Sequence, residues 1–293
     1  MEISSKFTGT RIKEYQATIT DRQIMNYAAG LGDANPHYFD DERDGGIVAP
    51  PMFATAVTWQ ISRRLWEFLD APDFPIQLLM TQVHYSEHLI LHRCIRPGDK
   101  LTVAGVITAM LPHRAGAHVV VEFKAVDKNG EPVFTEYGGV LLRGVTCTDG
   151  ARGEDTLPHV PDAPGDSDPA WSETVPIDSL AAHVYDACAD IHFPIHSSPK
   201  FAKSVGLAGI IYQGTATLAQ AARRIVDREC GGDPARLAQI ACRFGAMVWP
   251  GSDIELWLDA AHQDQGCKNL FFTVINHEER AAIKRGFAVV RNP

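Results

Sequence analysis

Two short loops in the sequence carry side chains that could exchange protons with a substrate. One loop, the run PIH at 194–196, ends in His196, and Asp190 lies six residues before that histidine. The other, the run GDANP at 32–36, contains Asp33. An imidazole and a carboxylate on either side of one water molecule can take up one of its protons and deliver it elsewhere. A loop histidine considered alone is more often a cap or a partner of a backbone carbonyl, so the surrounding sequence must decide.

A third segment could bind negative charge that develops on a substrate. Gln213, Gly214 and Thr215 stand where a long amphipathic helical stretch begins, with apolar residues at helical spacing along one side. The first turn of a helix leaves backbone N–H groups unpaired, and the helix dipole favours an anion there. A glycine at that place lets a ligand approach the backbone closely.

The elements that position these segments occur twice along the chain. In each half an alternating segment leads into a short helix with a tyrosine nine residues before a proline, and a loop follows. A longer helical stretch and then a Pro-Gly turn into a strand come next in both halves. The corresponding residues are Tyr27 and Tyr185, Pro36 and Pro194, and Pro97 and Pro250.

The repeat predicts two units of the same kind. Beyond each Pro-Gly turn the apolar pattern predicts antiparallel strand pairs, which would wrap around the helical stretch. Residues 1–145 form the first unit and residues 172–293 the second. Residues 146–171 are rich in Asp, Gly and Pro, which is typical of a linker. The expected fold class is α+β.

The composition is that of a globular protein without a nucleic-acid or membrane surface. Hydrophobic residues make up 45% and charged residues 22% of the chain, and no apolar run is long enough to span a membrane. The first residues lack the apolar stretch of a signal peptide, so we expect a cytoplasmic protein. The formal net charge of -9 argues against nucleic-acid binding, which needs a basic face.

The cysteines and histidines show no metal-binding pattern. The 6 cysteines include no C-x-x-C pair, so we expect free thiols rather than a zinc site or a disulfide framework. His84, His88 and His92 share one face at a spacing of four residues, but no acidic pair accompanies them in the manner of a zincin motif. We predict no metal site and no cofactor.

The loops and the helix start resemble the MaoC-like (R)-specific enoyl-CoA hydratases and dehydratases. That family shows a G-D-x-N-P-x-H loop, a D-P-x-[FY]-A stretch and a His-Gly pair that opens the central helix. In the first half the GDANP run matches, but Tyr38 stands at the position of the histidine. In the second half His196 is in register and the run PKFA follows it. Ile191 and Phe193 replace the aspartate and the asparagine, and Gln213 stands where the family usually has histidine.

This resemblance covers nearly the whole chain and implies a double hot dog: two antiparallel sheets, each wrapped around a long central helix. It implies a hydratase or dehydratase that interconverts a trans-2-enoyl-CoA and an (R)-3-hydroxyacyl-CoA by acid-base chemistry. His196 and Asp190 would then be catalytic. Gln213, Gly214 and Thr215 would bind the substrate or its oxyanion. An acyl-CoA thioester is the expected partner, and the sequence does not decide between a monomer and a homodimer.

Two other functions fit the same pattern. Hot-dog folds host many chemistries, so an acyl-CoA thioesterase is one alternative. Ile191 at the aspartate position leaves a non-catalytic acyl-CoA-binding protein as another. We expect the first half to supply pocket wall around Met52, Phe53 and Trp59 rather than catalytic groups. Asp33 would then have a structural role in its own loop.

Overall fold

The computed structural model of the protein describes residues 1–165, 168–264 and 266–292. The first half follows the predicted order of a strand, a helix, a loop, a central helix and strands beyond the Pro-Gly turn, and it has a further strand, Gln82–Leu91, before that turn. Its elements are β1 (Glu2–Ser4), β2 (Arg11–Thr18), α1 (Asp21–Gly30), α2 (Phe53–Ser62), α3 (Leu65–Phe68), β3 (Gln82–Leu91), β4 (Lys100–His113), β5 (Gly116–Val126), β6 (Pro132–Arg143) and β7 (Thr146–Thr148).

The second half repeats this order, with one more short helix between the loop and the central helix. Its elements are β8 (Trp171–Ile177), α4 (Ala181–Ala189), α5 (Pro199–Ser204), α6 (Gly214–Glu229), β9 (Leu237–Phe244), β10 (Ser252–Asp264), β11 (Cys267–Asn276) and β12 (Ala281–Arg291).

Ten strands form one antiparallel sheet in the order β2-β4-β5-β6-β3-β9-β12-β11-β10-β8. The first five strands belong to the first half and the last five to the second, so β3 and β9 join the halves. In that junction Glu87 is paired with Cys242. The predicted double hot dog is confirmed. Thr146–Thr148, at the start of the predicted linker, pairs in parallel with β1, and the exact bounds of the two units stay a prediction.

The two Pro-Gly turns have the same structure in both halves. Gly98 has φ +83° and Gly251 has φ +84°, a left-handed conformation that glycine adopts without strain. The N–H of Gly98 donates to the carbonyl of Ile19, directly after β2, and the N–H of Gly251 donates to that of Ile177, at the end of β8, both at 2.8 Å. The predicted repeat therefore reaches the level of individual backbone hydrogen bonds.

The central helices α2 and α6 pack against the inner face of the sheet. In α6 one side is buried and carries small or branched apolar residues, among them Ala222 and Ile225, whereas Arg223 lies on the more open side. Burial of a side chain of isoleucine size stabilises a fold by about 1.5–3 kcal/mol. In α2 most residues are buried, and the helix contacts β6 and α3. The part of the chain that the structure describes contains no helix long and apolar enough to cross a membrane.

Helices α1 and α4 contact each other where the two halves meet. The hydroxyls of Tyr27 and Tyr185 lie 3.1 Å apart, and their rings pack edge to face. Close approach of the two backbones requires Gly30, because a Cβ atom at this position would lie 2.7 Å from the Cβ of Cys188. This contact brings the two loops that follow α1 and α4 to the junction of the halves.

Candidate active site

The histidine loop holds the imidazole of His196 in one orientation. Nδ1 lies 2.8 Å from the carbonyl oxygen of Ile211. A ring nitrogen that faces a carbonyl carries the proton, so Nδ1–H donates and Nε2 keeps its lone pair. Burial lowers the pKa of His196 to about 4, although the bond to Ile211 opposes this shift. The imidazole is therefore neutral near neutral pH, with a basic nitrogen available to accept a proton.

The first turn of α6 offers unpaired backbone donors close to this histidine. Among the described residues no side chain caps the helix, and the first backbone bond runs from the N–H of Thr217 to the carbonyl of Gln213. Within the described residues, the N–H groups of Gly214 and Thr215 make no backbone hydrogen bond. Ile211, which binds His196, precedes Gly214 by three residues, so their Cα atoms lie at most about 11 Å apart. These donors can stabilise an oxyanion of a substrate that reaches His196.

Gln213 joins the start of α6 to α4. Its side chain is buried, and its Nε2 donates to the carbonyl of Ala182 at 3.0 Å. Its Oε1 is also buried but has no hydrogen-bond partner among the described residues. Gln213 therefore fixes the position of the first turn of α6 and leaves one acceptor unsatisfied there.

Asp190 lies at the C-terminal end of α4 with φ +52°, in the left-handed region. Its carboxylate is 64% exposed, accepts from Nε2 of Gln60 at 2.9 Å and lies 3.4 Å from Nδ1 of His192. No hydrogen bond or ion pair joins Asp190 to His196 in the described ranges of the chain. A water molecule would have to connect them, and their pairing stays a prediction.

The first-half loop binds the second half of the chain. Asp33 is buried, accepts from the backbone N–H of Asn35 at 3.0 Å and lies 3.8 Å from the guanidinium of Arg223 on α6. The side chain of Asn35 donates to the carbonyl of Gly232. Burial raises the pKa of Asp33, and the bond from Asn35 and the charge of Arg223 oppose this shift. These contacts support the structural role predicted for Asp33.

Two domain models match the chain. The FAS1-like dehydratase domain region matches residues 6–136, and the MaoC like domain matches residues 166–281. The chain belongs to the MaoC-like dehydratase family. The resemblance carried by the loops and the helix start is thereby confirmed.

Relatives of this MaoC-like protein extend over most of its length. A probable enoyl-CoA hydratase 2 of Dictyostelium discoideum is 26% identical, over 85% of this chain and 84% of its own. The peroxisomal enoyl-CoA hydratase 2 of Arabidopsis thaliana is 25% identical, over 96% of this chain and 93% of its own. The 3-hydroxyacyl-thioester dehydratase Y of Mycobacterium tuberculosis is 28% identical, over 80% of each chain.

Solved structures show the same fold. The crystal structure of a MaoC-like dehydratase from Phytophthora capsici superposes with a TM-score of 0.82 at 22% identity, covering 97% of both chains. A Mycobacterium tuberculosis protein described as a double hotdog fold superposes with a TM-score of 0.67 at 14% identity, covering 97% of this chain and 96% of its own. At these identities the likeness concerns the fold alone.

A second carboxylate in this MaoC-like protein, Asp186 of α4, also faces the histidine loop, and the sequence did not single it out. Its Oδ1 is buried without a hydrogen-bond partner among the described residues. Burial raises its pKa, and the backbone N–H of Phe193 opposes this shift. In the repeat Phe193 corresponds to Asn35, whose N–H binds the carboxylate of Asp33. Position 191, which corresponds to Asp33, is occupied by the buried Ile191, which has no carboxylate to bind the N–H of Phe193. Asp186 approaches this N–H in its place.

The three histidines at four-residue spacing lie on or just after β3 and each contacts a different partner. His84 contacts Glu87, His88 contacts Gln239, and His92 contacts Thr135. Among the residues that the structure describes, no three or more His, Cys, Asp or Glu side chains are grouped as a metal site would require.

Proposed function

We propose that this MaoC-like protein interconverts a trans-2-enoyl-CoA and an (R)-3-hydroxyacyl-CoA by adding or removing water. The main support for this proposal is the orientation of His196. Its Nδ1 is held by the carbonyl of Ile211, which lies in the segment that leads into the uncapped first turn of α6. This arrangement pairs a neutral base with backbone donors, as acid-base chemistry at a thioester requires.

In the hydration direction, Nε2 of His196 accepts one proton of a water molecule whose oxygen bonds to the β-carbon. The double bond is consumed, and the electron pair moves towards the thioester oxygen, where N–H groups of Gly214 and Thr215 stabilise the negative charge. The proton held by the imidazole then passes to the α-carbon, so no atom is left over. Asp190 is our proposed carboxylate partner, which holds the water from its other side. The reaction involves no change of oxidation state and calls for no cofactor.

The names of the relatives support a CoA or related thioester as the substrate. Enoyl-CoA hydratase 2 and 3-hydroxyacyl-thioester dehydratase are names for the two directions of this reaction. A cytoplasmic location belongs to the proposal, and cell fractionation would test it, since one relative is named peroxisomal. Whether two chains form a homodimer is decided by light scattering on the purified protein.

The purified protein should be tested with crotonyl-CoA, acetyl-CoA and 3-hydroxybutyryl-CoA, with enoyl absorbance and free thiol recorded separately. Loss of enoyl absorbance from crotonyl-CoA and its gain from 3-hydroxybutyryl-CoA, without free thiol, are expected. Release of thiol would indicate a thioesterase, a function that one structural neighbour, a putative oleoyl thioesterase from Lactobacillus plantarum, carries in its description. Binding of acyl-CoA without either signal would indicate the non-catalytic alternative.

A further inference from the structure

A cluster of acidic side chains is buried on the inner face of the sheet, outside the histidine loop. The side chain of Glu87 on β3 is 1% exposed and that of Glu136 on β6 is 5% exposed. Thr58 of α2 donates to Glu136 at 2.7 Å, and Nε2 of His84 lies 3.0 Å from Oε2 of Glu87. A bulge in β3 between His84 and Ser86 shifts the alternation of side chains, which lets His84 and Glu87 meet on one face.

The protonation of this cluster follows from its burial. Burial raises the pKa of Glu87 to about 8, and it raises the pKa of Glu136, where the neighbouring Glu87 adds to the shift. Burial also lowers the pKa of His84 to about 4. With pKa values of about 8 and about 4, Glu87 and His84 are both neutral near neutral pH. The protonated Oε2 of Glu87 then donates to Nε2 of His84, and Oε1 remains as the carbonyl oxygen of a carboxylic acid.

Oε1 of Glu87 is a buried acceptor with no hydrogen-bond partner among the described residues. A buried acceptor without a partner lowers the stability of a fold, so fold stability does not explain this oxygen. An unsatisfied buried acceptor of this kind is expected where a ligand supplies the missing donor.

One chain of contacts connects Glu87 to the first turn of α6. Nε2 of His84 lies 3.0 Å from Oε2 of Glu87, and the ring of His84 lies 4.5 Å from the ring of Phe244. A Cβ atom at Gly214 would lie 3.2 Å from that same phenylalanine ring, so the ring packs against the start of α6.

Both His84 and the first turn of α6, which this chain of contacts joins, are partly exposed. The side chain of His84 is 32% exposed, and both Gly214 and Thr215 are partly exposed. A thioester whose oxygen binds the N–H groups of this turn could therefore place its γ- or δ-carbon towards His84 and Glu87. Such an acyl chain would approach an oxygen acceptor rather than a purely apolar wall.

We propose that Glu87, supported by His84, selects a short acyl group that carries a hydroxyl on its γ- or δ-carbon. The inference rests on the proposed function and adds the substrate class to it. The hydroxyl donates to Oε1 of Glu87. A longer unsubstituted acyl chain shields Oε1 from water but donates no hydrogen bond to it. Sites that bind a substrate hydroxyl discriminate strongly against analogues that lack one.

The test compares kcat/KM for 4-hydroxycrotonyl-CoA, 5-hydroxypent-2-enoyl-CoA, crotonyl-CoA and trans-2-octenoyl-CoA. The better hydroxylated substrate is expected to exceed both unsubstituted ones by at least about tenfold, the scale of one unpaired buried polar group. Glu87→Leu should abolish this preference and improve relative use of octenoyl-CoA. Glu87→Gln should keep the preference, because its amide donates to His84 and leaves an oxygen acceptor in place.

Glu122→Gln is the matched control, since this glutamate of β5 contacts Tyr137 and Lys124 instead, and it should retain wild-type selectivity. Equal selectivity in wild type and Glu87→Leu, or a preference of the wild type for octenoyl-CoA, overturns the inference. In either case, hydration of crotonyl-CoA by the wild type leaves the proposed function intact. If no enoyl-CoA is hydrated, the proposed function fails. Calorimetric binding of 4-hydroxybutyryl-CoA against butyryl-CoA then tests the role of Glu87 by itself, and equal affinities refute it.

Discussion

The contact between Tyr27 and Tyr185 should couple the stabilities of the two halves. The hydroxyl of Tyr27 is wholly buried, donates to the carbonyl of Met52 at 2.9 Å and lies 3.1 Å from the hydroxyl of Tyr185. A typical hydrogen bond contributes about 0.5–1.5 kcal/mol net, so Tyr27→Phe should lower the free energy of unfolding by about 1–3 kcal/mol. The carbonyl of Met52 keeps Thr55 as a donor, which limits the loss.

A double-mutant cycle isolates the bond that the two tyrosines share. Because Tyr27 gives its hydroxyl proton to Met52, Tyr185 is the donor in the shared bond. Tyr185→Phe loses this bond and a longer contact, 3.4 Å, with the hydroxyl of Thr215. Because the shared bond can be lost only once, the double variant should be less destabilised than the sum of the single variants, by about 0.5–1.5 kcal/mol.

Urea unfolding with an unchanged m-value provides the measurement. Tyr15→Phe is the control, because its hydroxyl makes no hydrogen bond within the described residues, and it should stay within about 0.5 kcal/mol of wild type. Strict additivity of Tyr27→Phe and Tyr185→Phe would show that the two hydroxyls do not bind each other, and our description of the junction would be incorrect.

Three further predictions concern the site. Because Asp190 holds the water in our proposal, Asp190→Asn should lower turnover of crotonyl-CoA by about 10²-fold, the scale of a positioned acid-base group. Near-normal turnover in Asp190→Asn, together with a loss in Asp186→Asn, would show that Asp186 holds the water instead. Asp33→Asn should leave turnover within about threefold of wild type while it changes the free energy of unfolding, and a folded but inactive variant would move the catalytic centre to the first half. Because the folded pKa of His196, about 4, lies below its ordinary value of 6.5, the unfolded chain takes up the proton first. The contribution of this group to stability is therefore lost as the pH falls from 6.5 to 4. Urea midpoints across this window should fall less steeply in His196→Ala, and parallel curves would contradict the shift.

Much of the fold could be predicted from local signals in the sequence. The Pro-Gly turns depend on a glycine that tolerates a left-handed backbone, and α6 depends on an apolar side at helical spacing, so both are visible in short windows. The pairing of β3 with β9 is different. It joins residues such as Glu87 and Cys242 across more than half the chain, and alternation within each strand does not identify the partner.

The candidate site was predictable only in part. His196 and the start of α6 follow a family motif, whereas Asp186 becomes a candidate only because packing buries one of its oxygens. The sequence presents His84 only as one of three evenly spaced histidines on one face. A bulge places it beside Glu87, and no periodic pattern predicts where a bulge falls.

The most direct test of the central claim is the rate of crotonyl-CoA hydration by His196→Ala. A positioned acid-base group contributes about 10²–10⁴-fold, so we predict a loss of at least about 10²-fold. The melting temperature should stay close to that of wild type, because the half-buried imidazole makes one hydrogen bond within the described part of the chain, to Ile211. His277→Ala, which changes an exposed histidine directly after β11, should keep wild-type turnover. Near-wild-type hydration by a folded His196→Ala variant would contradict the assignment of His196 as the catalytic base.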